Sequence, residues 1–165
     1  MKHVKGFVLS ALLLLAVWLL LTHPFSNEEL IAGAIAALVI SLIPTGALGV
    51  MQDIRVTPRA LAAAIGFLAS FVVALVRSNL DVAFRVLQPS LPISPGIVRI
   101  RTSLQTPLAR ILLANAITLT PGTITVESRA DVFYVHWISV AEGDTEEATR
   151  RIVGKFERHL EVFLG

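Results

Sequence analysis

Three long stretches in the first half of the chain, Gly6–Asn27, Leu30–Gln52 and Ala60–Val76, contain no Lys, Arg, Asp or Glu. Apolar runs of this length suit a lipid bilayer better than the core of a small soluble domain. The pattern therefore predicts an integral membrane protein, and it also limits what that protein can do. A chain that moves protons or sodium through a membrane usually keeps an ionisable side chain at membrane depth, where such groups are costly and persist only for a function. No Lys, Arg, Asp or Glu lies inside these stretches and His23 falls at a membrane edge, so if the chain serves transport it serves as a subunit and does not carry the ion by itself.

Composition agrees. The sequence is 55% hydrophobic with a mean hydropathy of +0.75, more than a soluble domain of this length buries. Most of its charged residues fall in 77–165, which separates a membrane part from a water-facing domain. With no cysteine there is neither a disulfide framework nor a thiolate metal site. The net charge of +2 is too small to imply nucleic acid.

The first segment is leucine-rich between Phe7 and Leu21 and follows Lys2 and Lys5. A signal peptide has the same outline, but the residues that follow, Thr22 to Glu29, lack a small-x-small cleavage pattern, and a second apolar segment begins at once. The expectation is an uncleaved first helix. Ser26 or Asn27 ahead of Glu28 and Glu29 reads as a helix start. The strongly apolar part of that helix ends near Ile43, before Pro44, Gly46 and Gly49. It is short for a full span, so the helix either continues through Pro44 or crosses a thin membrane. Gly33 and Ala37, one turn apart, form a small-xxx-small surface suited to close helix contact.

Flanking charges set the topology. Lysines precede the first segment, Glu28 and Glu29 separate first from second, and Arg55, Arg59, Arg77 and Arg85 follow the second and third. The positive-inside rule places the N-terminus and everything after Met51 in the cytoplasm, which needs two crossings and not three. The third segment then continues as an amphipathic helix, with Val76, Leu80, Ala83, Phe84 and Leu87 on one face and Arg77, Asp81, Arg85 and Gln88 on the other. The reading favoured is a helix from about Pro58 to Gln88 lying along or dipping into the cytoplasmic leaflet.

The expected organisation is a transmembrane helical hairpin over 1–52, a third membrane-embedded or interfacial helix over 53–88, a proline-rich linker over 89–95, and a cytoplasmic α+β domain over 96–165. In that domain Gly96–Thr102 alternates as a strand, Thr106 and Pro107 open a helix, Thr123–Glu127 and Val132–Val140 read as strands, and a last helix starts at Asp144 or Thr145. The order β-α-β-β-α is that of a ferredoxin-like half-sandwich without its last strand.

The stretch from Leu113 through Asn115, Thr118, Thr120, Pro121, Gly122 and Thr123 to Glu127, with Val135-His136-Trp137 downstream, resembles the small E subunits of the Mrp (Mnh) multisubunit Na+/H+ antiporters. The similarity extends to the N-terminal hairpin and to Ser78-Asn79-Leu80-Asp81-Val82, and so spans nearly the whole chain. It implies a small subunit of a sodium/proton antiporter complex in a bacterial cell membrane. Its partners would be large antiporter-like subunits, small hydrophobic subunits and membrane lipid, and its role would be assembly, stability or coupling. The other reading is a free-standing membrane-anchored sensor or binding module.

Plainer roles fit the individual residues. The threonines around Pro121-Gly122 could cradle an anion, but no helix N-terminus follows and no lysine accompanies them, so strand entry is the simpler account. Pro121-Gly122 fits a type II turn needing positive φ at the glycine. His136 reads as a sheet or interface residue, since no second ligand stands at metal spacing. His159 is expected to face water among the basic residues of the last helix. No nucleophile with a base and no phosphate-binding loop is present, so neither an enzyme nor a cofactor is expected. The basic last helix, with Arg99, Arg101 and Arg110, suits either anionic lipid headgroups or plain solvent.

Overall fold

A computed structural model of the chain describes residues 2–22, 24, 26–43, 53–140 and 145–165. The continuation of the second segment beyond Ile43 and the candidate cap Asp144 lie outside these residues. The chain divides into two compact units, Met1–Ile54 and Arg55–Gly165.

In the first unit α1 (Lys2–Leu21) packs against α2 (Asn27–Leu42). Ser26 caps α2 through a capping box: its hydroxyl accepts from the Glu29 N–H and its own N–H donates to Glu29 Oε2, each at 3.2 Å. The helix stops at Ile43, whose extended backbone is the conformation a following proline favours. With 16 residues, α2 is about 24 Å long at 1.5 Å per residue, short of a ~30 Å hydrocarbon core.

One face of α2, formed by Gly33, Ala37 and Ser41 at four-residue spacing, is buried. Trp18 of α1 lies over Gly33 so closely that a Cβ there would be 2.7 Å from its Cγ. The small-xxx-small surface is therefore used inside the chain, as the seat of a tryptophan. The Trp18 indole N–H and the Ser41 hydroxyl are buried without a hydrogen-bond partner among the described residues. Lys5 Nζ donates to the Ile54 carbonyl, which ties the start of α1 to the end of the unit.

The second unit begins with α3 (Pro58–Leu87), a continuous helix of 30 residues. Thr57 caps it by accepting from the Ala60 N–H at 3.1 Å, with Pro58 at the first helical position. By length and composition α1, from Val4, and α3 are the two described helices apolar enough to cross a membrane. Yet α3 is not free on all sides. Ala60, Ala63 and Ala74 are buried, Phe67 meets Phe156 edge-on with ring centroids 5.8 Å apart, and the last helix packs alongside. Its other side leaves Leu61, Ile65, Leu68, Val72, Val76 and Leu80 exposed.

The sheet is three-stranded and antiparallel in the order β1-β3-β2, with β1 at Gly96–Arg101, β2 at Thr123–Arg129 and β3 at Val132–Trp137. Strand β2 runs two residues further than expected, because Ala130-Asp131 closes a two-residue hairpin with Ala130 at φ 50°. A bulge between Thr125 and Glu127 absorbs Val126. Strand β3 ends at Trp137, three residues short of the expected Val140, although Ile138 N–H still donates to the Gly122 carbonyl at 2.8 Å.

Helix α4 (Pro107–Leu119) connects β1 to β2 and packs on β2, capped by Thr106 as expected. The expected single last helix is two, α5 (Thr145–Ile152) and α6 (Glu157–Leu164). Between them Gly154 sits so close to the Arg150 carbonyl that a Cβ would be 2.8 Å from its oxygen. Phe133, Ile100, Leu113, Ile117, Leu160 and Val153 form the fully buried core on one sheet face. The opposite face carries the exposed Ile97 and Ile124 on either side of half-buried His136.

Gly33→Val is expected to lower the stability of the detergent-solubilised chain by roughly 1–3 kcal/mol through overpacking against Trp18, with the loss recovered when Trp18→Ala is added. Thermal unfolding of the single and double variants checks this, and a neutral single variant would remove the contact.

Candidate functional site

Thr120-Pro121-Gly122-Thr123 is the joint between α4 and β2. The Thr123 N–H donates to the Thr120 carbonyl at 3.2 Å and Gly122 has φ +88°, which is the expected type II turn. Glycine is required twice, since a Cβ would also lie 2.8 Å from Cγ2 of Ile138.

The neighbouring hydroxyls point at the chain's own carbonyls. Thr120 Oγ1 donates to the Ala116 carbonyl at 2.7 Å, and Thr123 Oγ1 lies 2.6 Å from the Ile117 carbonyl and 2.8 Å from that of Thr120. Thr118 Oγ1 accepts from the Thr125 N–H at 3.1 Å, and Thr125 Oγ1 donates to the Ala114 carbonyl at 3.2 Å. These threonines satisfy the orphan carbonyls at the end of α4 and start β2 in register. An anion cradle made of the same hydroxyls would have to break those bonds.

Two sequence motifs far apart in the chain meet here. A cavity of about 240 Å³ is lined by Ser78 and Asp81 of α3, by Thr120, Pro121 and Thr123 of the turn, and by Trp137 at the end of β3. A Cβ at Gly122 would lie 3.6 Å from Cγ2 of Val82. Within α3, Ser78 Oγ donates to the Ala74 carbonyl at 2.8 Å, and Asp81 takes a two-pronged contact from Arg85 at 2.7 and 3.2 Å. Arg85 also donates to the Pro92 carbonyl at 2.7 Å, which holds the middle of the linker against the end of α3.

The other singled-out residues are elsewhere. Asn115 is exposed on α4, and His136 sits in the middle strand, level with Ile97 and Ile124. Gly33 and Ala37 belong to the first unit. On the open hairpin, Glu127 at 2.5 Å holds the Arg129 guanidinium above its ordinary pKa, chiefly by hydrogen bonding, and Arg129 stays charged in any physiological medium.

His159 corrects the sequence reading. It does not face water but is half-buried against α3, with Nε2 within 3.4 Å of Ser70 Oγ and the ring edge 2.7 Å from where a Gly66 Cβ would be. The signal was available as Gly66 and Ser70 four residues apart, a notch in an otherwise bulky apolar helix. Among the described residues no cluster of three His, Cys, Asp or Glu is placed to hold a metal.

Two long apolar helices followed by a small three-stranded antiparallel sheet fit a membrane subunit with a C-terminal β domain. The family described as Na+/H+ ion antiporter subunit matches residues 11–162, and the chain belongs to it. It is 35% identical over 102 residues to the E subunit of the Na(+)/H(+) antiporter of Alkalihalophilus pseudofirmus, an alignment covering 62% of this chain and 65% of that one. Over 152 residues it is 29% identical to the E1 subunit of the Na(+)/H(+) antiporter of Staphylococcus saprophyticus, covering 92% of each. A chain of the membrane-bound sulfane sulfur reductase, an archaeal respiratory membrane complex, matches at 34% identity and a TM-score of 0.82, with 96% of this chain and 98% of that one covered.

Gly122→Ala is expected to cost about 1–3 kcal/mol from the positive φ and the Ile138 contact. Thr123→Val should cost roughly 1–2 kcal/mol, while Thr123→Ser, which keeps the hydroxyl, should cost less than half as much. Denaturant titration of the full chain in detergent distinguishes them, and equal values for Val and Ser would dismiss the capping role.

Proposed function

We propose that this chain is a non-catalytic small subunit of a multisubunit cation (Na+)/proton antiporter complex, contributing to assembly, stability or coupling. The observation that carries the reading is the family match over residues 11–162 to a chain whose three apolar segments hold no Lys, Arg, Asp or Glu and whose His23 falls at the edge of the first. Ion translocation falls to partner subunits, because a proton or sodium path needs charged or protonatable side chains at depth. Of the polar groups lining the cavity beside the turn, Asp81 is held by Arg85, and the hydroxyls of Ser78, Thr120 and Thr123 donate to backbone carbonyls.

The proposed topology is two crossings, by α1 and α2, with α3 along the cytoplasmic leaflet and residues 96–165 in the cytoplasm. Its support is the packing of α6 on the first half of α3, through Gly66, Phe67 and Ser70. Helix α6 carries exposed Arg158 and Glu161. A spanning α3 would draw these charges into hydrocarbon at about 2.5–3.5 kcal/mol for Arg alone near the centre. Placed at the interface, α3 keeps its polar companion wet and turns Leu61, Ile65, Leu68 and Val72 toward lipid or partner helices.

In this proposal the organisation is the hairpin over 1–52, the interfacial helix over 53–88, the linker over 89–95 and the domain over 96–165. The β1-β3-β2 order with a helix between β1 and β2 supports reading the domain as a ferredoxin-like half-sandwich. Its open face, with His136 between Ile97 and Ile124, and exposed Asn115 are the proposed contacts to neighbouring subunits. A second reading follows from the archaeal match: a respiratory membrane complex in place of a stand-alone antiporter.

Purification of a tagged chain from its native membrane in mild detergent is expected to recover polytopic antiporter-like proteins in fixed ratio. Additional redox subunits would favour the respiratory reading, and recovery of the chain alone would overturn both. The chain has no cysteine, so single-cysteine labelling is clean. Pro24→Cys should react with an impermeant maleimide from outside, and Leu68→Cys, Asn115→Cys and Ser128→Cys only after the membrane is opened. External labelling of Asn115→Cys would reverse the topology.

A further inference from the structure

A groove of about 440 Å³ runs between α3 and the turn joining α5 to α6, with Ser70 and Arg77 on one wall and Gly154, Lys155, Arg158 and His159 on the other. Ala74, Arg77 and Lys155 also line the cavity beside the Thr-Pro-Gly-Thr turn, so the two spaces adjoin. Arg77, Lys155 and Arg158 come from two separate elements and bring their charges to one place, and no carboxylate lines the groove.

The nearby acids are engaged elsewhere. Asp81, one turn beyond Arg77, is held by Arg85. Glu157, next to Arg158, accepts from Thr102 Oγ1 at 2.7 Å and from the Ser103 N–H at 2.5 Å. Glu161 accepts from Ser103 Oγ. Neither the Asp81–Arg85 nor the Glu127–Arg129 ion pair involves the three groove cations. The structure thus draws the carboxylates of α6 toward the Thr102-Ser103 loop and leaves the cations facing one another across a gap, an arrangement that an anion stabilises.

The groove wall is apolar as well as basic. Val73 and Ala74 line it, Gly154 adds no side chain to it, and Leu68, Val72 and Val76 remain exposed on the same helix. A small soluble anion would use only the cations. An amphiphile uses both surfaces. We infer that the groove binds the headgroup of an anionic phospholipid, with the phosphodiester between Arg77, Lys155 and Arg158 and the acyl chains along the exposed aliphatic side of α3. This rests on the interfacial placement of α3 proposed above.

The test is native mass spectrometry of the full chain in dodecyl maltoside, titrated separately with phosphatidylglycerol and phosphatidylcholine. The first phosphatidylglycerol is expected to bind at least tenfold more tightly than phosphatidylcholine. Arg77→Gln and Lys155→Gln should each weaken it by about fivefold, the equivalent of one cation near an anionic headgroup, with phosphatidylcholine binding unchanged. Arg99→Gln with Arg101→Gln removes two charges from strand β1 and should leave the selectivity intact. Unchanged selectivity in the Arg77→Gln/Lys155→Gln double variant overturns the site. Equal losses in the β1 control reduce it to bulk electrostatics and overturn it too. Displacement of the lipid by inorganic phosphate at submillimolar concentration would make the ligand a soluble anion and overturn the lipid assignment. In detergent the measurement does not depend on topology, so a spanning α3 seen by cysteine labelling, with lipid selectivity intact, would sink the interfacial reading alone.

Discussion

The packing of α3 against the last helix governs most of what this chain can be. Small residues at Ala60, Ala63, Gly66, Ser70 and Ala74 let α6 and the turn before it approach, and Phe67 meets Phe156 within that seam. The Arg55 N–H donates to the Phe163 carbonyl and the Thr106 hydroxyl to that of Leu164, so the end of α6 is fastened to the starts of both α3 and α4. Full burial of an apolar side chain such as Leu160 or Leu164 contributes about 1.5–3 kcal/mol. An apolar segment that hydropathy alone would assign to lipid is thereby committed on one side to the core of the C-terminal unit.

From that commitment follow the two characters of α3. Its inner side is part of a domain core, and its outer side is a stripe of unpartnered aliphatic residues. The segment that gives the family its recognisable sequence serves the same architecture. Threonine hydroxyls close the end of α4, Gly122 takes a conformation that side chains resist, and the turn comes to rest beside Ser78 and Asp81 of α3. These residues act as a joint within the C-terminal unit.

Much of this was legible in the residues. Caps at Ser26 and Thr106 and the turn at Pro121-Gly122 are local hydrogen-bond chemistry, decided within four residues, and they stand where the chain spells them. Strand alternation gave β1, β2 and β3 their places, but their ends shifted where a bulge and a two-residue hairpin entered. The last helix read as one because its apolar spacing is continuous, and the close approach of Gly154 to the Arg150 carbonyl, which marks the break, is not a periodic feature.

The three long uncharged stretches and the gathering of charge beyond them were decided by the sequence alone, since these are properties of the chain itself and survive any folding. What touches what was not. Gly33 found Trp18, His159 turned from water to Gly66, and Glu157 turned from its basic neighbours to the Thr102-Ser103 loop. Each of these depends on which helix faces reach one another across many residues, and one-dimensional periodicity gives the existence of a face but not its partner.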